Sequence, residues 1–257
     1  MSRPQPATPP SPEVWPDRAA CFYARTLDRS DYGAAIASVL SGAAPASLLD
    51  IGAGAGHPVS SWLPANSEWT ALEPNRYLRA RLGRLGRAET RPLRALDATW
   101  QALPHLALSR HDWSWAANIG ATMTHPRALL AMMRGLARER VVWLVPAQRG
   151  PRRWCLAGAL PVTLHGESET PGLEGVLDAL GAAHAPDAIL HASWSFRAAF
   201  ANLEAGTEYC AERLALAPNA PCRSAIAEHL AATATPLPCG GVELVAPKHS
   251  ALLIWDV

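Results

Sequence analysis

Lysine is almost absent from this chain: Lys248 is the only one among 23 basic side chains, the rest being arginine. That skew reads as compositional bias before it reads as function. Charge of one sign is also missing. With 22 acidic residues the formal net charge is +1, which excludes a global electrostatic drive toward nucleic acid or an anionic membrane. No apolar run approaches the roughly 20 residues that span a bilayer, so no membrane partner is expected. Cysteine is scarce and odd in number. Cys21, Cys155, Cys210, Cys222 and Cys239 form no C-x-x-C pair, which argues against a metal site or a disulfide framework and for reduced thiols in the cytoplasm. The first 17 residues carry six prolines and no apolar stretch of the secretory kind. They read as an extended, disordered tail.

What is present is a core. Of 257 residues, 49% are hydrophobic and 18% charged, enough apolar surface for a globular α/β body. Residues 19–40 read as one helix, with Phe22, Leu27, Tyr32, Ile36 and Leu40 at helical spacing. Short apolar runs follow at 46–51, 68–73, 91–96, 111–118 and 140–146. Helical segments lie between them at 75–86 and 125–137. This alternation predicts a Rossmann-like, mostly parallel sheet. The rhythm breaks after Pro146. Residues 148–237 read as a cap inserted after the fifth strand, and 238–257 as a closing antiparallel hairpin that turns at Pro247–Ser250. The expected organisation is thus a tail (1–17), a core (18–147), a cap (148–237) and a hairpin, with seven strands in the sheet.

The strongest local signal is Leu48-Leu-Asp-Ile-Gly-Ala-Gly-Ala-Gly-His57. Glycines at 52, 54 and 56, directly after a strand, permit a tight turn and close backbone approach to a ligand. The spacing is G-x-G-x-G, not the G-x-G-x-x-G of a pyrophosphate-binding loop. His57 is expected to open the next helix. This loop resembles the first motif of class I S-adenosylmethionine-dependent methyltransferases. Glu73, in Ala71-Leu-Glu-Pro74, resembles their second motif, and Asp97, in Leu96-Asp-Ala-Thr99, the acidic residue after their third strand. The resemblance covers residues 46–147 and the closing strands. It implies a seven-stranded sheet and S-adenosyl-L-methionine as cofactor. The site it implies is Asp50, Gly52, Ala53, Gly54, Gly56, Glu73, Pro74, Asp97, Ala98 and Asn118. Glu73 would take the ribose hydroxyls, Asp50 the amino group and Asp97 the adenine.

The acceptor is less legible. The Asn-Pro-Pro-Tyr type of motif is absent after the fourth strand, which argues against amino methylation of nucleobases or glutamine. After the fifth strand, Gln148, Arg149, Arg152, Arg153 and Trp154 face the expected cleft mouth, and guanidinium forks suit an anion. Tyr23 and Tyr32 are candidate lid residues over the site. His125, His165 and His191 are the candidate general bases, each with a structural role as its ordinary alternative. The arginines at 76, 79, 81, 84 and 87 read as a solvated helix face. The resemblance implies methyl transfer to a small molecule, and the arginines suit an anionic one. The alternatives are an RNA or protein methyltransferase using the Arg76–Arg94 stretch, and a non-catalytic scaffold with the same fold.

Overall fold

The computed structural model describes residues 15–257 apart from 43, 120–124, 151–155, 168–169 and 239. Two helices, α1 (Asp17–Arg29) and α2 (Tyr32–Val39), precede the sheet. The strands are β1 (Ser47–Ile51), β2 (Glu68–Leu72), β3 (Leu93–Leu96), β4 (His111–Ala117), β5 (Ala137–Pro146), β6 (Ala188–Phe200), β7 (Thr235–Pro236) and β8 (Val242–Asp256). Between and beyond them lie α3 (Arg76–Ala88), α4 (Pro126–Leu136), α5 (Val162–His165), α6 (Gly172–Leu180), α7 (Leu203–Arg213) and α8 (Cys222–Thr233).

The strands form one sheet in the order β3-β2-β1-β4-β5-β8-β6, with β7 paired to β8. The first five pair in parallel, and β8 runs antiparallel to both β5 and β6. All five residues of β1 are buried, as a central parallel strand covered on both faces requires. One face packs Leu48, Trp69, Trp115 and Val142 beneath α1, α2 and α3. The other packs Leu49, Ile51, Trp143 and Trp255 against α4 and α6. Strand order reverses between β1 and β4, and ligands of open α/β sheets settle in the crevice at such a switch point, beyond the carboxyl ends of the strands.

Three expectations need correcting. Residues 19–40 are two helices, because Ser30 turns extended and its Oγ donates to the Leu27 carbonyl at 2.8 Å. Asp31 then leads α2, yet its carboxylate accepts from the Ser195 backbone N–H at 2.6 Å rather than capping its own helix. The second correction is at the C-terminus. Residues 242–256 are one continuous strand, and the antiparallel partner of its first half is β6. Pro247 fits inside that strand because it faces Ser195, whose N–H points out of the ladder to Asp31. The pair is therefore a non-hydrogen-bonded one, and no proline N–H is needed.

Third, 148–237 is not wholly a cap, since β6 lies within it and is the edge strand of the sheet. The main path of the sheet has seven strands, as expected, and the two-residue β7 adds an eighth off that path. β5 ends opposite Ser250, so β6 and the first half of β8 continue beyond the carboxyl edge as a two-stranded ribbon roughly 25 Å long. The inner face of that ribbon, with Trp194, Phe196, Ala198 and Ala246, belongs to the same core cluster as α1, α2, α7 and α8 residues.

Candidate functional site

The crevice at the switch point is built from the ends of β1, β2 and β4. After β1 the chain turns through Gly52, Gly54 and Gly56 at φ of +73°, +57° and +92°. At Gly54 the backbone is left-handed, and an added Cβ would sit in ordinary van der Waals contact with the Tyr23 ring at 3.8 Å. Gly56 is tight instead, and a Cβ there would press on Leu85 at 3.1 Å and Leu82 at 3.3 Å. The backbone N–H groups of Gly52 and Ala53 both donate to the Leu72 carbonyl at 2.9 Å, which ties the loop to the end of β2. His57 opens no α-helix. A single 3₁₀ turn, Val59–Ser61, follows within a stretch bounded by Pro58 and Pro64, and proline lacks the N–H that a helix interior uses.

Glu73 is the centre of the arrangement. Its Oε2 accepts from the Gly54 N–H at 2.8 Å and its Oε1 from the Asn75 N–H at 2.7 Å. Each carboxylate oxygen retains a lone-pair direction, so the group can hold the loop and still accept from two adjacent hydroxyls. Burial pushes the Glu73 carboxyl upward, opposed by the Asn75 and Gly54 N–H groups and by Arg79. Asn75 caps α3 by accepting from the Leu78 N–H at 2.9 Å. Its amide donates to the Trp15 carbonyl at 2.8 Å, so the residue after Pro74 also pins the start of α1.

Asp97 lies at the rim. Its side chain is 70% exposed and pairs with Arg79 at 2.7 Å, while Ala98 beside it is buried. Arg79 also donates to the carbonyls of Glu73 and Pro74. Asn118 ends β4 at φ +51°. Its N–H donates to the Leu144 carbonyl at 3.0 Å and its amide reaches the Tyr32 hydroxyl at 3.4 Å. Asp50, in contrast, is inside the core. It is 2% exposed, its Oδ2 accepts from the Trp69 indole N–H at 3.1 Å, and burial pushes its carboxyl up to about 8. At that depth it supports the root of the loop through the Trp69 indole.

Aromatic side chains cover the crevice. Tyr23 of α1 lies over Gly54, flanked edge-on by Trp15 at 4.9 Å and stacked against Phe196 of the ribbon at 6.1 Å. Tyr32 is buried, its ring 4.3 Å from that of Trp194. Ile119 packs on Gly52. α1 is held down by a polar knot in which Arg81 of α3 binds the Asp28 carboxylate and donates to the Ala55 carbonyl at 3.1 Å, with His57 on the same carboxylate at 3.1 Å. Arg79 and Arg81 are therefore structural ties rather than part of a solvated face, while Arg76, Arg84 and Arg87 are exposed.

The candidate bases scatter. His125 precedes α4 beside Trp100, and His165 accepts from the Glu167 N–H at the end of α5. His191 stands on β6 just before the ribbon begins, stacked on His249. Gln148 reaches the ribbon, accepting from the His249 N–H at 2.7 Å, and Arg149 is exposed next to it. Arg152, Arg153 and Trp154 lie outside the described residues. Sequence reasoning missed Asn75, Asp28 and Asp31. Asn75 had a readable signal, an N-capping residue directly before a helix. The two aspartates had none, since their partners come from distant segments.

No protein-family model matches the sequence, and no curated protein does. Solved structures do. The YcgJ protein from Bacillus subtilis is similar with a TM-score of 0.50 at 12% identity, over 88% of this chain and 98% of its own. A SAM-dependent methyltransferase from Geobacter sulfurreducens, in complex with S-adenosyl-L-homocysteine, gives a TM-score of 0.50 at 11% identity, over 95% and 99%. The fold is that of the class I S-adenosylmethionine-dependent methyltransferases.

Proposed function

We propose that the chain transfers a methyl group from S-adenosyl-L-methionine to a small acceptor. The observation that carries the reading is Glu73, a buried carboxylate that fixes the glycine loop while keeping acceptor capacity toward the crevice. The residues fit the group. A vicinal diol needs two adjacent acceptors, which Glu73 offers, and the left-handed backbone of Gly52 and Gly54 presents the loop without side chains. Asp97 and Ala98 flank the position of the adenine, with Asn118 across the crevice. S-adenosylmethionine, when bound, supplies an electrophilic methyl group on a cationic sulfur. The chain's own contribution is positioning and dryness: Tyr23, Tyr32 and Trp194 exclude water from the crevice, and an in-line displacement gains most from orientation.

A small acceptor suits this enclosure. The ribbon and α1 close the carboxyl edge with side chains rather than leaving an open trough for a polymer. Two of the five arginines on α3 are engaged in ion pairs, which weakens the RNA alternative. Gln148 and Arg149 at the mouth support an anionic acceptor.

The test is isothermal titration of S-adenosylhomocysteine into the wild type and Glu73→Ala, with NAD as control. The wild type should bind with Kd in the tens of micromolar or tighter, about 6 kcal/mol or more. Glu73→Ala should lose about 1.5–3 kcal/mol, as expected for charge-assisted hydrogen bonds, in a sample whose melting curve shows it folded. No binding at millimolar ligand by a folded wild type would end the reading.

A further inference from the structure

β6 is the last strand on the main path of the sheet, and its one strand partner is β8. Two observations fix the direction of its backbone groups. The N–H and carbonyl of His249, opposite Ser193, are engaged on the β5 side with Gln148 at 2.7 Å and Ala147 at 2.8 Å. The Ser195 N–H leaves the ladder for Asp31 at 2.6 Å. Ser193 and Ser195 therefore stand in non-hydrogen-bonded pairs with β8. The register runs on without a shift, so the backbone N–H and carbonyl groups of Ile189, His191 and Ser193 all point to the outer edge. None of these groups has a hydrogen-bond partner among the described residues.

An open edge is a template for another strand, and proteins ordinarily guard it with charge, proline or a bulge. Later in β6 the edge is closed: Asp31 occupies the Ser195 N–H and Arg197 adds charge. The earlier part, Ala188-Ile-Leu-His-Ala-Ser193, has no Lys, Arg, Asp, Glu, Pro or Gly and keeps unbroken register with β8. Ala188, Ile189, His191 and Ser193 are exposed. Ile189 is one of four large apolar side chains that are exposed among the described residues. Unpaired donors, unpaired acceptors and apolar surface thus coincide on one short segment.

We infer that two copies of this chain join along Ile189–Ser193, antiparallel across a two-fold axis at His191, to make one continuous sheet. The register follows from the unpaired groups. With His191 opposite His191 of the partner subunit, Ile189 meets Ser193 of the partner subunit, and every outward N–H faces an outward carbonyl. Moving the axis to Leu190 sets Ser193 opposite Asp187, whose N–H is bonded to the Ile254 carbonyl at 2.8 Å. Moving it to Ala192 sets Ile189 opposite Ser195, whose N–H is held by Asp31. A second copy fits better than a foreign strand, because self-pairing consumes the open edge of both chains, whereas a bound peptide presents a fresh one. The segment carries no formal charge to repel its twin. The pairing does not depend on bound S-adenosylmethionine.

Sedimentation equilibrium of the full chain from about 1 to about 200 µM should show a monomer–dimer equilibrium. His191→Pro removes an outward N–H that the ladder does not use, and Ile189→Lys supplies the charge that guarded edges carry. Each should raise the dimer Kd by about 10-fold or more. Val162→Lys, at another exposed apolar position, should leave it unchanged. Circular dichroism of both edge variants should match that of the dilute wild type, which separates lost pairing from lost fold. Amide exchange at Ile189, His191 and Ser193 should slow as wild-type concentration rises. A wild type that stays monomeric at about 200 µM overturns the inference, whether the edge then takes an added peptide strand or none. So does a dimer that both edge variants leave intact, or one whose concentration-dependent protection falls on amides outside 189–193.

Discussion

Asp50 and Glu73 are both buried acids 23 residues apart in sequence, yet they are buried for different ends. Glu73 meets two backbone N–H groups, whereas Asp50 meets one indole N–H inside an apolar layer. Burial chiefly raises the Asp50 carboxyl, the Trp69 N–H opposes that, and the charge of Glu73 adds to it, leaving it at about 8 against an ordinary 3.8. The folded chain therefore keeps this proton through a range in which the unfolded chain has lost it. Between pH 3.8 and about 8 the unfolded state binds fewer protons, so the stability contribution of Asp50 declines as pH rises and levels off above that window. Asp50→Asn keeps an acceptor for Trp69 and has no proton to lose. The melting temperature of the variant relative to wild type should rise steadily from pH 4.5 to 8.5; parallel curves would show that Asp50 is ionised in the fold. The glycine loop and both acids were legible as motifs, because their chemistry is local to a strand end. That Asp50 accepts from the Trp69 indole was not legible, since it depends on the register of β1 against β2.

At the scale of elements, α1 links the site to the ribbon. It forms because Ala20, Ala24 and Leu27 recur on one buried face, with Asp17 in its first turn and Arg29 in its last complementing the helix dipole. Arg29 then reaches Glu243 of β8 at 2.8 Å, and Arg197 of β6 binds the same carboxylate at 3.1 Å. Glu243→Gln removes the charge shared by both arginines. Because those arginines are 43% and 36% exposed, solvent screening limits the loss to about 1 kcal/mol, measurable by urea denaturation. Amide exchange in α1 should quicken while exchange in β1 and β4 does not. Exchange unchanged throughout α1 would mean that the Asp28 knot alone holds the helix. The parallel strands were readable because each is a short apolar run closed by turn residues. The ribbon was not. Ser193–Phe196 alternates as a strand does, but it lies in an apolar stretch read as part of the cap, and the proline inside β8 resembles a turn until the two strands are seen to pair.

The whole molecule folds around one sheet. Because β6 is part of that sheet, the segment from 148 to 237 is not a separable cap, and the ribbon's inner face shares a single core with α1 and α2. Unfolding followed by tryptophan fluorescence and by far-ultraviolet circular dichroism should give coincident transitions. An early fluorescence transition with the secondary structure intact would mark the region as independent after all. The α/β class followed from the alternation of segments alone. The order of the last strands did not, because it is set by long-range pairing that no local pattern encodes.

The central claim is that Glu73, at the switch point of this sheet, holds the ribose of S-adenosylmethionine or its product. A crystal structure of the complex with S-adenosylhomocysteine tests it most directly. The ribose hydroxyls should lie within hydrogen-bond distance of both Glu73 oxygens, with the adenine between Asp97 and Asn118 and Tyr23 over the loop. Ligand bound elsewhere, with the Glu73 carboxylate touching only Gly54 and Asn75, would contradict the account.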